Sequence, residues 1–378
     1  MSNYKTIKLG ILGGGQLGRM LIQKAIDYNI LTFVLDPDAN APCRDLCTGF
    51  TQGNFKDFDE VMNFGKDMDV ITVEIEHVSV DALDELERMG KKVYPQPKIL
   101  RMVQDKGLQK EFYRINKIPT AEFRLIERRD ELNEYAGFLP VMQKMRRSGY
   151  DGKGVTPLRT TADFERAFEE PSVLEKFVDF EKELSVIVSR NASGITSHYP
   201  VVELEFNSEA NLVEFLYSPA SLLLMQEKKA IEIAVSVIEN LKMVGLLAVE
   251  MFLTKTGEIL VNEIAPRPHN SGHQTIEGNV TSQYEQHLRA ILGLPPGLTT
   301  ITRPSVMVNL LGEKGYTGDA LYEGFDEVMQ LLGTHVHLYG KKITKPFRKM
   351  GHVTVTADTL DAAKENALKV KNLLKVKS

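Results

Sequence analysis

Three observations predict an α/β and α+β fold for this 378-residue chain. Apolar strand signals alternate with amphipathic helix signals through roughly the first hundred residues, the mark of a doubly wound parallel sheet covered on both faces. From Pro95-Gln96-Pro97 onward the rhythm changes to strands of alternating polarity joined by short turns. Leu294-Pro295-Pro296-Gly297 then punctuates the chain ahead of a smaller mixed segment. Boundaries follow at 1–98, 99–297 and 298–378, with a smaller part of the middle region at about 120–178.

Ile7 to Leu12 is an apolar strand, Gln16 to Tyr28 a helix, Ile30 to Leu35 a second strand and Val70 to Ile75 another buried run. Ser79 is placed as the N-cap of a helix that carries Leu83, Leu86 and Met89 on one face and stops at Gly90. A helix from Ile99 to Ile115 leads to Pro119. Strands at Val141 to Met145 and Val173 to Phe177 flank the glycine-rich Ser148 to Gly154, and Glu183 to Ser189 and Val201 to Phe206 alternate as strands. Ser218-Pro219 reads as an N-cap followed by proline at the first helical position, opening a helix that runs to Leu241. The C-terminal segment ends in an amphipathic helix from Leu360 to Leu374.

Composition narrows the function classes. Hydrophobic residues make up 43% of the chain, enough for real cores, and a formal charge of -5 supplies no basic field for nucleic acid. Cys43 and Cys47 are too few for a disulfide framework and weak as a metal pair. With no signal-peptide core and no apolar run of the roughly 18 to 20 residues that a membrane span needs, a cytoplasmic protein is expected.

A hairpin carries the sharpest chemical signal. Leu246 to Thr254 and Ile259 to Ile264 are its strands, and a turn centred on Thr256-Gly257 sets Glu250 opposite Glu263. A three-residue turn would shift that register. Like charges about 5 Å apart across a ladder are destabilising, so a cation belongs between them, and open carboxylate pairs of this kind hold Mg2+ or Mn2+ at polyphosphate sites. Solvated rim carboxylates are the plainer alternative.

Other motifs allow two readings each. Gly13-Gly14-Gly15-Gln16-Leu17-Gly18, followed by Asp36, has dinucleotide-fingerprint spacing, but the pattern alone is weak evidence for NAD(P), because any ligand with a phosphate or carboxylate can use the same amides. Ser148-Gly149-Tyr150-Asp151-Gly152-Lys153-Gly154, preceded by Lys144, Arg146 and Arg147, is either a cover for a triphosphate or a basic hairpin turn. His269 and His273 have the spacing of a helical zinc pair, but Pro266, Pro268 and Gly272 favour a rigid loop presenting Arg267, His269, Asn270, Ser271 and His273 to an anionic or polyhydroxylated ligand. Lys341, Lys342, Lys345, Arg348 and Lys349 are either a solvated basic face or a phosphate site.

Together Gly13 to Met20, Thr72-Val73-Glu74-Ile75-Glu76, Gly149 to Gly154, and Asn262-Glu263-Ile264-Ala265-Pro266-Arg267 leading to His269-Asn270-Ser271-Gly272-His273 resemble the N5-carboxyaminoimidazole ribonucleotide synthetases, ATP-grasp enzymes of purine biosynthesis. The resemblance implies a pre-ATP-grasp domain, a central ATP-grasp domain and a small C-terminal domain, a homodimer, and no nucleic-acid or membrane partner. It also implies ATP-dependent carboxylation of 5-aminoimidazole ribonucleotide by bicarbonate, through carboxyphosphate, giving ADP and phosphate. Lys106, Lys144, Tyr150, Asp151, Gly152, Lys153, Gly154, Glu183, Asn262 and Glu263 are then expected at ATP, with Glu175-Lys176-Phe177-Val178 as the hinge that reads adenine. Glu250 and Glu263 correspond to the metal ligands. Gly15, Gln16, Leu17, Glu76, Tyr150, Asp151, His269, Asn270, Ser271, His273, Lys342, Arg348 and Lys349 are expected at the ribonucleotide, and Arg267, His273 and Lys153 as catalytic groups. The chain departs from the family pattern at Leu204 and Phe206, where polar residues are common, and at Lys106, where arginine is common. Competing classes are the sister ATP-grasp enzyme that formylates glycinamide ribonucleotide from formate, which would show His-Asp-Thr-Gly, and an NAD-dependent dehydrogenase.

Overall fold

The computed structural model describes residues 6–147, 154–207, 209 and 212–378. Five parallel strands open the chain: β1 (Lys8–Leu12), β2 (Leu31–Asp36), β3 (Gly49–Gln52), β4 (Val70–Val73) and β5 (Lys92–Val93), in spatial order β3-β2-β1-β4-β5. Helices α1 (Gln16–Asp27), α2 (Phe58–Gly65) and α3 (Val80–Arg88) connect them. β1 and β4 are buried along nearly their whole length because helices cover both faces, which is why they read as unbroken apolar runs. β3 escaped the sequence reading: it is a half-exposed edge strand, Gly-Phe-Thr-Gln, without such a run.

The helix expected from Ile99 to Ile115 is two helices, α4 (Pro97–Val103) and α5 (Lys106–Ile115). Asp105 separates them, its carboxylate accepting from the amides of Gly107 and Leu108 at 2.9 and 3.2 Å as an N-cap. β6 (Phe123–Ile126), β7 (Val141–Met145), β8 (Val155–Leu158) and β9 (Ser172–Lys176) form a small antiparallel sheet, ordered β6-β9-β7-β8. From Phe177 the chain crosses into the large sheet through β10 (Phe180–Arg190). That sheet runs β15-β14-β10-β12-β13-β16, with β12 (Val202–Asn207), β13 (Leu212–Ser218), β14 (Gly245–Thr254), β15 (Ile259–Ala265) and β16 (Ser305–Leu311), and continues into Lys349–Thr356 and Thr334–Leu338. The C-terminal segment therefore extends the central sheet.

Alternation fixes what each face of the large sheet does. Leu184, Val186, Val249, Met251, Val261 and Ile264 point to one side and pack on α6 (Leu224–Leu241) in the largest apolar cluster. Glu183, Ser185, Glu250 and Glu263 occupy the other. The expected Ser218-Pro219 helix start is corrected: Ser218 ends β13, paired with Ser305, and α6 begins at Leu224, where the Gln226 side chain accepts from the Leu223 amide at 3.0 Å. No described helix is long and apolar enough to cross a membrane.

Candidate active site

Glu250 and Glu263 are cross-strand partners, as expected, but by a different route. Leu253 pairs with Ile259, so the turn has one residue more than assumed, with Gly257 at φ +86°, and that turn alone would have separated the carboxylates. A bulge between Met251 and Glu250 absorbs the extra residue, leaving Asn262 without a partner in the ladder and restoring Glu250 to Glu263. The bulge turns the Asn262 carboxamide toward the small sheet, where Lys144 Nζ donates to its Oδ1 at 3.2 Å.

Cations from the small sheet and α5 meet this edge. Lys106 Nζ lies 3.3 Å from Glu263, and Lys144 and Lys110 lie 2.7 and 2.5 Å from the two oxygens of Glu175. Burial alone would raise the Glu175 carboxyl, but the two ammonium groups bring it down to about 2, so it stays a carboxylate. The side chain of Glu175 thus holds lysines and does not face outward along the hinge. Burial raises Glu183 to about 7, with Lys144 opposing and Glu263 reinforcing the shift. Glu250 is raised by burial and then by Glu263 and Glu183, while Lys106 lowers Glu263. Two carboxylates and a carboxamide on one edge, one carboxyl raised for want of positive charge, are hard oxygen donors that fit Mg2+.

The loop after β15 carries the second half of the site. Arg267 Nε lies 2.8 Å from Glu76, at the end of the N-terminal sheet. His269 Nε2 faces Glu250 at 3.7 Å, and burial, then Arg267 and Lys349, keep its imidazole neutral. Ser271 bridges Ser185 and His269 Nδ1 at 2.8 and 2.9 Å, and Asn270 exchanges two 3.0 Å hydrogen bonds with Asn309 of β16. His273 differs from its loop neighbours. It is 1% exposed, bonded to Tyr284 and Gln283, with its ring 4.6 Å from that of His352 at a 31° tilt. A zinc pair with His269 is not formed, because the loop is a short 3-10 turn and the two rings engage different partners.

The glycine-rich opening is filled from within. Glu74 accepts from the Leu17 amide at 3.2 Å, and a Cβ on Gly15 would come within 2.4 Å of its carboxylate. Asp36, the would-be ribose ligand of a dinucleotide fingerprint, instead accepts from Gly14 N at 2.6 Å. The glycines make room for an internal carboxylate where a pyrophosphate would lie, which removes the structural basis of the dehydrogenase reading.

Of the basic cluster, Lys342 reaches Asn40 at 3.3 Å and Arg348 donates to the Ile343 carbonyl at 2.5 Å. Lys341, bonded to the Lys349 carbonyl at 2.7 Å, is among the charges acting on Glu74, and Lys349 acts on Glu250 and His269. Lys110 was not singled out in the sequence at all, while Lys341 was named only as part of the basic cluster and Glu74 only within the Thr72 to Glu76 motif, neither as a ligand contact. Leu204, opposite Glu183, packs with Val202, Leu216 and Met307 and offers no polar atom there. Lys176 lies over Phe138 at 4.5 Å, while Phe177 and Val178 form the crossing between the sheets. Gly154 immediately precedes β8, at φ +71°. Tyr150, Asp151, Gly152 and Lys153 lie outside the described residues.

A small antiparallel sheet hinged onto a larger one, with cations of the first meeting carboxylates of the second, defines an ATP-grasp protein, and family models agree: a ribonucleotide synthetase pre-ATP-grasp domain matches residues 6–104, an ATP-grasp domain 111–284 and a phosphoribosylaminoimidazole carboxylase C-terminal domain 305–366. The N5-carboxyaminoimidazole ribonucleotide synthase of Bacillus subtilis is 36% identical, over 93% of this chain and 92% of that protein. The chain belongs to the N5-carboxyaminoimidazole ribonucleotide synthetase family. The Thermotoga maritima synthetase structure superposes with a TM-score of 0.91 at 44% identity, covering 99% of this chain and all (100%) of that one. An Aspergillus clavatus enzyme in complex with ADP and 5-aminoimidazole ribonucleotide gives 0.88 at 34% identity, covering 98% and 99%. The phosphoribosylaminoimidazole carboxylase of Vigna aconitifolia is 40% identical across 95% of this chain, which spans only 66% of that longer protein.

Proposed function

We propose that the protein carboxylates the exocyclic amine of 5-aminoimidazole ribonucleotide with bicarbonate, converting ATP to ADP and phosphate. What supports this most is that the Glu250/Glu263 edge with its lysines adjoins, through Arg267 and His269, a second group of side chains that includes Glu76 and the cations Lys341 and Lys349. Parts 1–98, 99–297 and 298–378 contribute to it in turn, and a cytoplasmic homodimer belongs to the same reading. Bicarbonate oxygen attacks the γ-phosphorus as ADP leaves. The amine then attacks the carbon of carboxyphosphate, the carbon–oxygen bond to phosphate breaks, and the departing phosphate takes the amine proton.

Lys106, Lys144 and the Tyr150 to Gly154 loop are assigned to the ATP phosphates, Glu183 to the ribose and the 175–178 hinge to adenine. Glu250, Glu263 and Asn262 would hold Mg2+, which supplies charge neutralisation at the transferred phosphoryl group. Arg267 orients the bicarbonate-derived anion. His273, sealed behind the loop, positions it through Tyr284 and Gln283. Gln16, His269, Asn270 and Ser271 face the ribonucleotide, with Lys341 and Lys349 on its phosphate. Phosphate release from ATP that requires bicarbonate and rises with aminoimidazole ribonucleotide is the expected result; release that follows formate and glycinamide ribonucleotide would assign the chain to the sister activity. Lys341→Met should raise KM for the ribonucleotide about tenfold, the loss of a charge-assisted hydrogen bond, whereas Lys342→Met should change it less than about threefold. Steady-state kinetics with each substrate varied in turn checks this ordering.

A further inference from the structure

Glu74 stands apart from every role assigned so far. Its carboxylate lies on the glycine loop, against Gly13 and Gly15, and takes the Leu17 amide that the start of α1 would otherwise offer to an anion. Arg267, Lys341, Asp36, Cys43 and Tyr284 are the charged and titratable groups that interact with it, from the loop after β15, the C-terminal segment, β2, the turn near Pro42 and the helix Gln283–Ile291. The first two are the cations assigned above to substrate anions.

We propose that Glu74 is a positioning residue that competes with the ribonucleotide phosphate for Lys341 and the Leu17 amide and takes up a proton as that phosphate binds. The inference rests on the functional reading above. Its physical basis is reciprocity: a dianion brought beside a carboxylate favours the protonated carboxyl, so the protonated enzyme must bind the dianion more tightly by the same factor. Burial already pushes the Glu74 carboxyl up to about 7, ahead of the opposing pull of Arg267, which puts its titration above the second ionisation of a phosphate monoester at about 6. Protonation also leaves a carbonyl oxygen able to keep the Leu17 hydrogen bond, so α1 stays in place while the negative charge goes.

The test is the KM for 5-aminoimidazole ribonucleotide measured between about pH 7 and pH 8.5, where the phosphate is dianionic throughout. In the wild-type protein it should rise about fourfold across that window, as a one-unit displacement of a carboxyl starting near 7 requires. In Glu74→Gln, which keeps an oxygen for Leu17, it should stay flat at the low value, and KM for ATP should not acquire the slope. A merely structural Glu74 would give Gln and wild type the same profile, and that result overturns the proposal. Should the variant fail to fold, calorimetry of the wild type in buffers of different ionisation enthalpy still decides: net proton uptake on ribonucleotide binding near pH 8 supports the inference, and none overturns it. Failure of the functional reading is distinguishable, because the ribonucleotide would then stimulate no bicarbonate-dependent phosphate release at any pH.

Discussion

Glu263→Gln should lower kcat by at least about a hundredfold, roughly 2.7 kcal/mol of transition-state stabilisation. Its side chain is 50% exposed and pairs with Lys106 at 3.3 Å, so the fold owes it little: exposed pairs are worth about 0–1 kcal/mol. The chemistry owes it more. Glu263 is the member of the carboxylate pair that stays ionised, because Lys106 lowers it, whereas Glu250 is raised. An amide of the same shape keeps the geometry and removes the charge that a bridging cation needs. Single-turnover phosphate release at saturating Mg2+ tests it, with the unfolding curve as the control; a kcat within threefold of wild type would end the metal assignment. Glu250→Gln should show a comparable loss, and the double variant should be little worse than either single one, because groups that act as a unit are not additive.

How this pair came to be expected shows what a sequence can and cannot carry. Alternation along Leu246 to Thr254 and Ile259 to Ile264 correctly gave the hairpin and the face on which each glutamate lies, since side-chain direction has a period of two. The turn was read as one residue too short, and nothing in Asn262 announced the bulge that restores the register. Bulges are set by what the bent strand must reach, here Lys144 of another sheet, and such contacts lie 118 positions apart in the chain. The glycine loop repeats the lesson. Its spacing was legible, but its occupant, Glu74, comes from a different strand 57 positions from Leu17. The basic cluster was legible as charge, but not how its members divide: Lys341 donates to the Lys349 carbonyl and acts on Glu74, while its neighbour Lys342 meets Asn40. Asp105 was the opposite case: an N-cap ahead of Lys106-Gly107-Leu108 is a local signal, readable from sequence, and it was missed inside a longer helical pattern.

Arg267→Met should lower kcat by about a hundredfold to a thousandfold, the usual cost of removing one donor aimed at a developing anion, about 2.7–4 kcal/mol. Arg267 is the cation shared by both halves of the site: it pairs with Glu76 at 2.8 Å from the N-terminal sheet and also acts on Glu250 of the metal-binding edge and on His269 beside it. In the proposed reading that position falls between the phosphoryl donor and the acceptor amine, where bicarbonate would wait. Arg267→Lys should recover only part of the loss, since an ammonium group cannot hold Glu76 and a second anion in one plane as a guanidinium does. A role confined to anchoring Glu76 makes the contrary forecast, a higher KM for the ribonucleotide with kcat preserved. Glu76→Gln separates the two: it should raise that KM while leaving most of kcat, because Arg267 remains. Measuring ATP cleavage with bicarbonate alone sharpens the distinction, because a group that orients carboxyphosphate formation must affect the partial reaction before the amine arrives. Full bicarbonate-dependent cleavage in Arg267→Met would move the residue from the chemistry to the ribonucleotide.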